Sequence, residues 1–108
     1  MELYQLIAPT GILSAVLFVF SIINGIRRFG FFRYHAAAGY ACCVVVIVHS
    51  AAAIACSIIE PIGVLASLGM LLTVASGHFS RKPLVHIVLA LITLLLTALH
   101  VALIVFLK

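Results

Sequence analysis

Charge is the scarcest property of this 108-residue sequence. Charged side chains make up 7% of it, aspartate is absent, and Glu2 and Glu60 are the two acidic residues. Tryptophan is absent as well, and proline occurs three times. A soluble domain of this length leaves a large share of its surface in water and needs polar side chains to cover it. With 67% hydrophobic residues, this chain cannot cover itself that way. Alternation of polar and apolar residues is also lacking, which disfavours a transmembrane β-barrel. The net charge of +4 would suit a nucleic-acid partner only if it formed a surface, and its placement speaks for another use.

What is present is a series of long uncharged runs. A helix needs about 20 apolar residues to cross the hydrocarbon, and four runs fit, roughly residues 5–26, 34–59, 61–78 and 84–107. Backbone polar groups in lipid must be paired internally, so each run is expected to be a helix. The first run follows "MELYQ", without a basic leader, and is longer than the apolar core of a signal peptide; it is expected to be retained. Arg27, Arg28 and Arg33 flank the first connection, and Arg81 and Lys82 lie in the third. By the positive-inside rule these mark the cytoplasmic side, putting both termini and the Glu60-Pro61 connection on the opposite one. That charge set orients the protein and recruits no nucleic acid. Cys42, Cys43 and Cys56 in the second run have no zinc-like spacing and are read as small apolar residues.

Histidine breaks the apolar pattern at a regular interval. His35 and His49 are fourteen residues apart on the second helix, and His86 and His100 are fourteen apart on the fourth. Fourteen residues advance about 1400°, only ~40° short of four turns, and rise ~21 Å. Each pair therefore shares one helix face and spans most of the membrane. Four helices alternating in direction make the second and fourth parallel, and counting from Arg33 and Lys82 matches His35 with His86 and His49 with His100 in depth. Two facing imidazoles at one depth can ligate an iron from both sides, and bundle cores house such cofactors. The expectation is two haem b groups stacked across the membrane, with His35/His86 near the basic side and His49/His100 near the far side. Each ring would use one nitrogen for iron and donate its other N–H to a backbone carbonyl one turn earlier. Haem would also offset the cost of imidazoles in lipid.

Glycine repeats the interval. Gly11 and Gly25 are fourteen apart on the first helix, and Gly63 and Gly77 are fourteen apart on the third. Counted inward from Arg28 and Arg81, Gly25 and Gly77 fall near the cytoplasmic histidine level, and Gly11 and Gly63 near the far one. A helix passing beside a porphyrin needs a residue without a side chain, although glycine also serves ordinary close packing in membranes. The histidines are offset by 51 residues and the glycines by 52, as if one hairpin had been copied about an axis along the membrane normal. The expected fold is an all-α four-helix transmembrane bundle, a single domain over residues 1–108, built as two repeated hairpins around two stacked haems.

This pattern, with "RYHAAAGYACCVVVIVHS" as its second helix, resembles the dihaem four-helix core of cytochrome b from quinol-oxidising cytochrome bc complexes. The histidine pattern is also similar to that of ferric-reductase-like membrane cytochromes. The resemblance implies that His35, His49, His86 and His100 are axial iron ligands and that Gly11, Gly25, Gly63 and Gly77 contact haem. The chain has no Pro-Glu-Trp-Tyr quinol-site motif, and "SAAA" follows His49 where that family has an arginine. Iron held by two histidines has no vacant position and suits electron transfer. The leading expectation is therefore a dihaem b-type subunit carrying electrons through the membrane in a larger respiratory oxidoreductase. Its partners would be other subunits, such as a multihaem, iron–sulfur or flavin protein, or the quinone pool. A stand-alone quinol-linked or metal reductase is the alternative, with Glu60, His78 or Asn24 as its candidate substrate-side groups. Glu60 is read more simply as a connection residue and His78 as an interfacial loop histidine. A haem-free membrane anchor or transporter is the third class.

Overall fold

The computed structural model describes residues 2–26, 34–79 and 82–106. Its elements are four α-helices: α1 (Leu3–Gly25), α2 (His35–Ala55), α3 (Pro61–Phe79) and α4 (Pro83–Phe106). Each is long and apolar enough to cross a membrane, which makes a lipid bilayer the environment of this chain. Arg27, Arg28, Arg33, Arg81 and Lys108 lie outside the described residues.

Local chemistry explains half of the helix ends. Pro61 and Pro83 open α3 and α4, where a residue without an N–H loses nothing and its fixed φ suits the first turn. At the start of α1 the backbone N–H of Glu2 donates to Gln5 Oε1 at 3.1 Å, satisfying a group that the helix itself leaves bare. The second helix departs from expectation, ending at Ala55 and not near residue 59. The Cys56 N–H reaches the Ala52 carbonyl at 3.1 Å, the Ser57 N–H reaches Ile54 at 3.0 Å, and Ser57 adopts φ 57°. That left-handed residue stops the helix, while Ile58 and Ile59 keep the run apolar past its end. Hydropathy cannot register such a stop.

Two compact units divide the chain, Met1–Ser57 and Ile58–Lys108. Within the first, α1 packs on α2, and within the second, α3 packs on α4. The buried side chains include Ser14, Ser21, Asn24, Thr73, Thr93 and Thr97, together with Cys42, Ala38, Ala52 and Ala66. Large apolar side chains such as Val44, Leu72 and Leu95 are exposed. This inverts a water-soluble protein. Lipid tails are as apolar as leucine, so helices associate through small residues that let backbones approach and through interhelical hydrogen bonds. Gly69 shows the approach directly, since a Cβ built there would overlap the Thr93 hydroxyl on α4.

Candidate cofactor-binding site

Each of the four spaced histidines lies against one of the four spaced glycines. In the first unit, a Cβ added to Gly25 would lie 2.9 Å from His35 Cε1, and one added to Gly11 would lie 2.8 Å from His49 Cε1. In the second, Gly77 meets His86 at 2.9 Å and Gly63 meets His100 closer still. Helices that run antiparallel bring equal spacings on both partners into a single register. The fourteen-residue interval on one helix of each pair is therefore the complement of the same interval on the other.

The rings turn their Nδ1 atoms toward acceptors on the facing helix. His35 Nδ1 lies 2.7 Å from the Ser21 carbonyl, His49 Nδ1 lies 2.8 Å from the Ile7 carbonyl, and His86 Nδ1 lies 2.8 Å from the Thr73 carbonyl. These carbonyls belong to the residues four before Gly25, Gly11 and Gly77. The expectation of a carbonyl one turn earlier is thus corrected: the turn precedes the facing glycine and not the histidine. In a helix, Cβ leans toward the N-terminus and covers the turn before it. Glycine uncovers the carbonyl of that turn, whose second lone pair can then accept from an incoming ring. Within each helix pair, Gly11, Gly25, Gly63 and Gly77 face imidazole.

The fourth acceptor is different. The residue four before Gly63 precedes the start of α3, so no helical carbonyl is available at the equivalent place. Instead, His100 Nδ1 lies 2.8 Å from Glu60 Oε2, and the same oxygen accepts the Gly63 N–H. The Glu60 carbonyl also accepts the Val64 N–H at 3.0 Å, so Glu60 caps α3 as well as engaging the ring. It is more than a connection residue. Its side chain keeps 30% exposure. Desolvation pushes its carboxyl up, but bonds from the Gly63 N–H, the His100 ring and the Ile62 N–H outweigh that and hold it below the usual glutamate range.

These contacts decide the tautomers. A carbonyl or carboxylate can only accept, so each Nδ1 is the donor and carries the proton. The lone pair of each neutral ring is then on Nε2, the nitrogen a metal would take. Hydroxyls reinforce three of the four rings. Thr10 Oγ1 is 3.3 Å from His49 Nδ1, Ser21 Oγ is 3.3 Å from His35 Nδ1, and Ser76 Oγ is 3.1 Å from His86 Nδ1. Sequence reasoning missed these hydroxyls, although Thr10 and Ser76 immediately precede Gly11 and Gly77 and form a visible signal.

The remaining candidates separate clearly. Asn24, one residue before Gly25, is 1% exposed, and its Nδ2 has no hydrogen-bond partner among the described residues. His78 lies in the last turn of α3 and not in a loop, its ring edge-on to Phe79 at 4.6 Å. Cys42, Cys43 and Cys56 form no disulfide, and Cys42 Sγ donates to the Ser14 carbonyl at 3.3 Å, consistent with a packing role. Among the described residues, no three His, Cys, Asp or Glu side chains gather as a metal cage would.

Compared with protein-family models, curated proteins and solved structures, the chain matches none. The functional reading therefore rests on the geometry within each helix pair and on the spacing of the residues.

Proposed function

We propose that this chain is a dihaem b-type cytochrome subunit that carries electrons across a membrane within a larger oxidoreductase. The single observation behind it is the set of four imidazoles, each with its Nδ1–H committed to an acceptor beside a facing glycine. A packing histidine needs only some partner. A ligand needs its second nitrogen unprotonated and its ring plane fixed, and a hydrogen bond from the first nitrogen provides both.

The residues present fit haem. Four like rings with the proton on Nδ1 would supply two pairs of iron ligands. The fourteen-residue interval gives two levels about 21 Å apart, and the buried Asn24 amide at the His35 level is a donor without an acceptor among the described residues, which a propionate would supply. His35 and His86 would hold one haem toward the basic side, and His49 and His100 the other toward the far side. Gly11, Gly25, Gly63 and Gly77 would border the macrocycles. When bound, haem supplies a one-electron ferric/ferrous couple. The chain's own part is to hold Nε2 toward the iron, lock each ring through Nδ1, and surround the sites with apolar helix that excludes water. The donor and acceptor would be neighbouring subunits or quinone.

Expression with haem supplied, followed by a reduced-minus-oxidised difference spectrum, tests this. A b-type spectrum is expected from the purified chain. His35→Ala and His86→Ala should lose one spectral component, and His49→Ala and His100→Ala the other, whereas His78→Ala keeps both. A spectrum indifferent to all four substitutions, or no spectrum in the parent chain, would defeat the reading.

A further inference from the structure

Three of the four imidazoles rest on peptide carbonyls, and the fourth rests on a carboxylate. His100 donates to Glu60 Oε2 at 2.8 Å, as close as the other rings lie to the carbonyls of Ile7, Ser21 and Thr73, so what differs is the acceptor's charge and not the distance. Helix geometry explains the substitution. Gly63 lies in the first turn of α3, so the chain four residues earlier has not entered the helix, and a side chain reaches back to stand where a carbonyl would.

We propose that Glu60 is a positioning and tuning residue of the His100 iron site, acting through Nδ1 to make His100 a more electron-rich ligand than the other three. The inference rests on the haem reading above and adds to it a functional difference among the four ligands. A carbonyl is neutral and draws weakly on the N–H proton, whereas a carboxylate draws strongly and gives the ring imidazolate character. The added electron density, and the negative charge behind it, favour ferric over ferrous iron, so the site's reduction potential falls. No covalent bond of the chain is made or broken in this; the proton stays on Nδ1, hydrogen-bonded to Oε2.

Glu60→Gln separates tuning from capping. Glutamine keeps an oxygen able to accept from both the Gly63 N–H and the ring, so α3 retains its cap while the charge is removed. Potentiometric titration of the haem absorbance in purified protein should show two components in the parent chain. In Glu60→Gln, one component should shift upward, its ferrous-to-ferric ratio at a fixed applied potential rising about tenfold, equivalent to about 59 mV for a one-electron couple. The other component should stay in place. The near-infrared charge-transfer band of the ferric protein, which follows imidazolate character, should shift in the same variant. Glu60→Asp keeps the charge on a shorter arm and serves as the second variant, expected to keep more of the low potential than Glu60→Gln. Two retained haems with unmoved potentials, equal movement of both, or loss of haem from Glu60→Gln without a shift in what remains would overturn the role of Glu60. A parent chain without haem would overturn the proposed function, and this inference with it.

Discussion

An imidazole in a bilayer needs an acceptor for its N–H, and in this chain a missing Cβ on the facing helix exposes that acceptor. His35, His49 and His86 reach carbonyls uncovered by Gly25, Gly11 and Gly77, and His100 reaches Glu60 beside Gly63. Restoring the Cβ should break the arrangement. Gly25→Ala would bring a methyl to 2.9 Å from His35 Cε1, forcing the ring from the Ser21 carbonyl. Loss of such a bond with its groups left buried costs about 1–3 kcal/mol. The expected result is a haem-to-protein ratio reduced from two toward one, measured as pyridine haemochrome, with Gly77→Ala acting on the same haem as Gly25→Ala. Unchanged haem content and unchanged thermal stability in both variants would contradict it. The spacing of these residues was readable from the sequence because fourteen residues return to one helix face. The acceptors were not. Which carbonyl a glycine uncovers depends on the antiparallel register, and Glu60 was masked because Glu-Pro is also ordinary helix-start punctuation.

At the scale of elements, helix existence followed from apolar length, and Pro61 and Pro83 fixed two starts. The end of α2 was hidden because Ile58 and Ile59 continue the apolar run after the backbone has turned at Ser57. That turn uses φ 57° in a residue with a side chain, a conformation glycine adopts without penalty. Ser57→Gly should therefore stabilise the protein by about 1 kcal/mol, seen as a higher midpoint for thermal loss of helical circular dichroism. A lower midpoint would show that Ser57 contributes something the turn geometry does not. The contact between α3 and α4 is sensitive in the opposite direction. Gly69 has no room for a Cβ against Thr93, and Thr73 Oγ1 is 3.4 Å from Thr93 Oγ1 at the same place. Gly69→Val should cost about 1–3 kcal/mol through overpacking, again read from the thermal midpoint, whereas Thr93→Ser should be tolerated.

At the scale of the whole molecule, small polar side chains such as Asn24, Thr73 and Thr93 are buried beside Phe18, Val46 and Met70, and many large apolar side chains are exposed among the described residues, as suits helices in lipid. The sparse charge and long apolar runs made that visible from the sequence, since both reflect the solvent and not the packing. The electron-transfer reading asks more: two iron porphyrins per chain, each held by histidines whose Nδ1 protons are already committed. Haem stoichiometry measures this most directly, by pyridine haemochrome and protein quantification on chain purified from cells supplied with haem. The account predicts two haems per chain with a low-spin, six-coordinate spectrum; a chain that folds, resides in the membrane and carries none would contradict it.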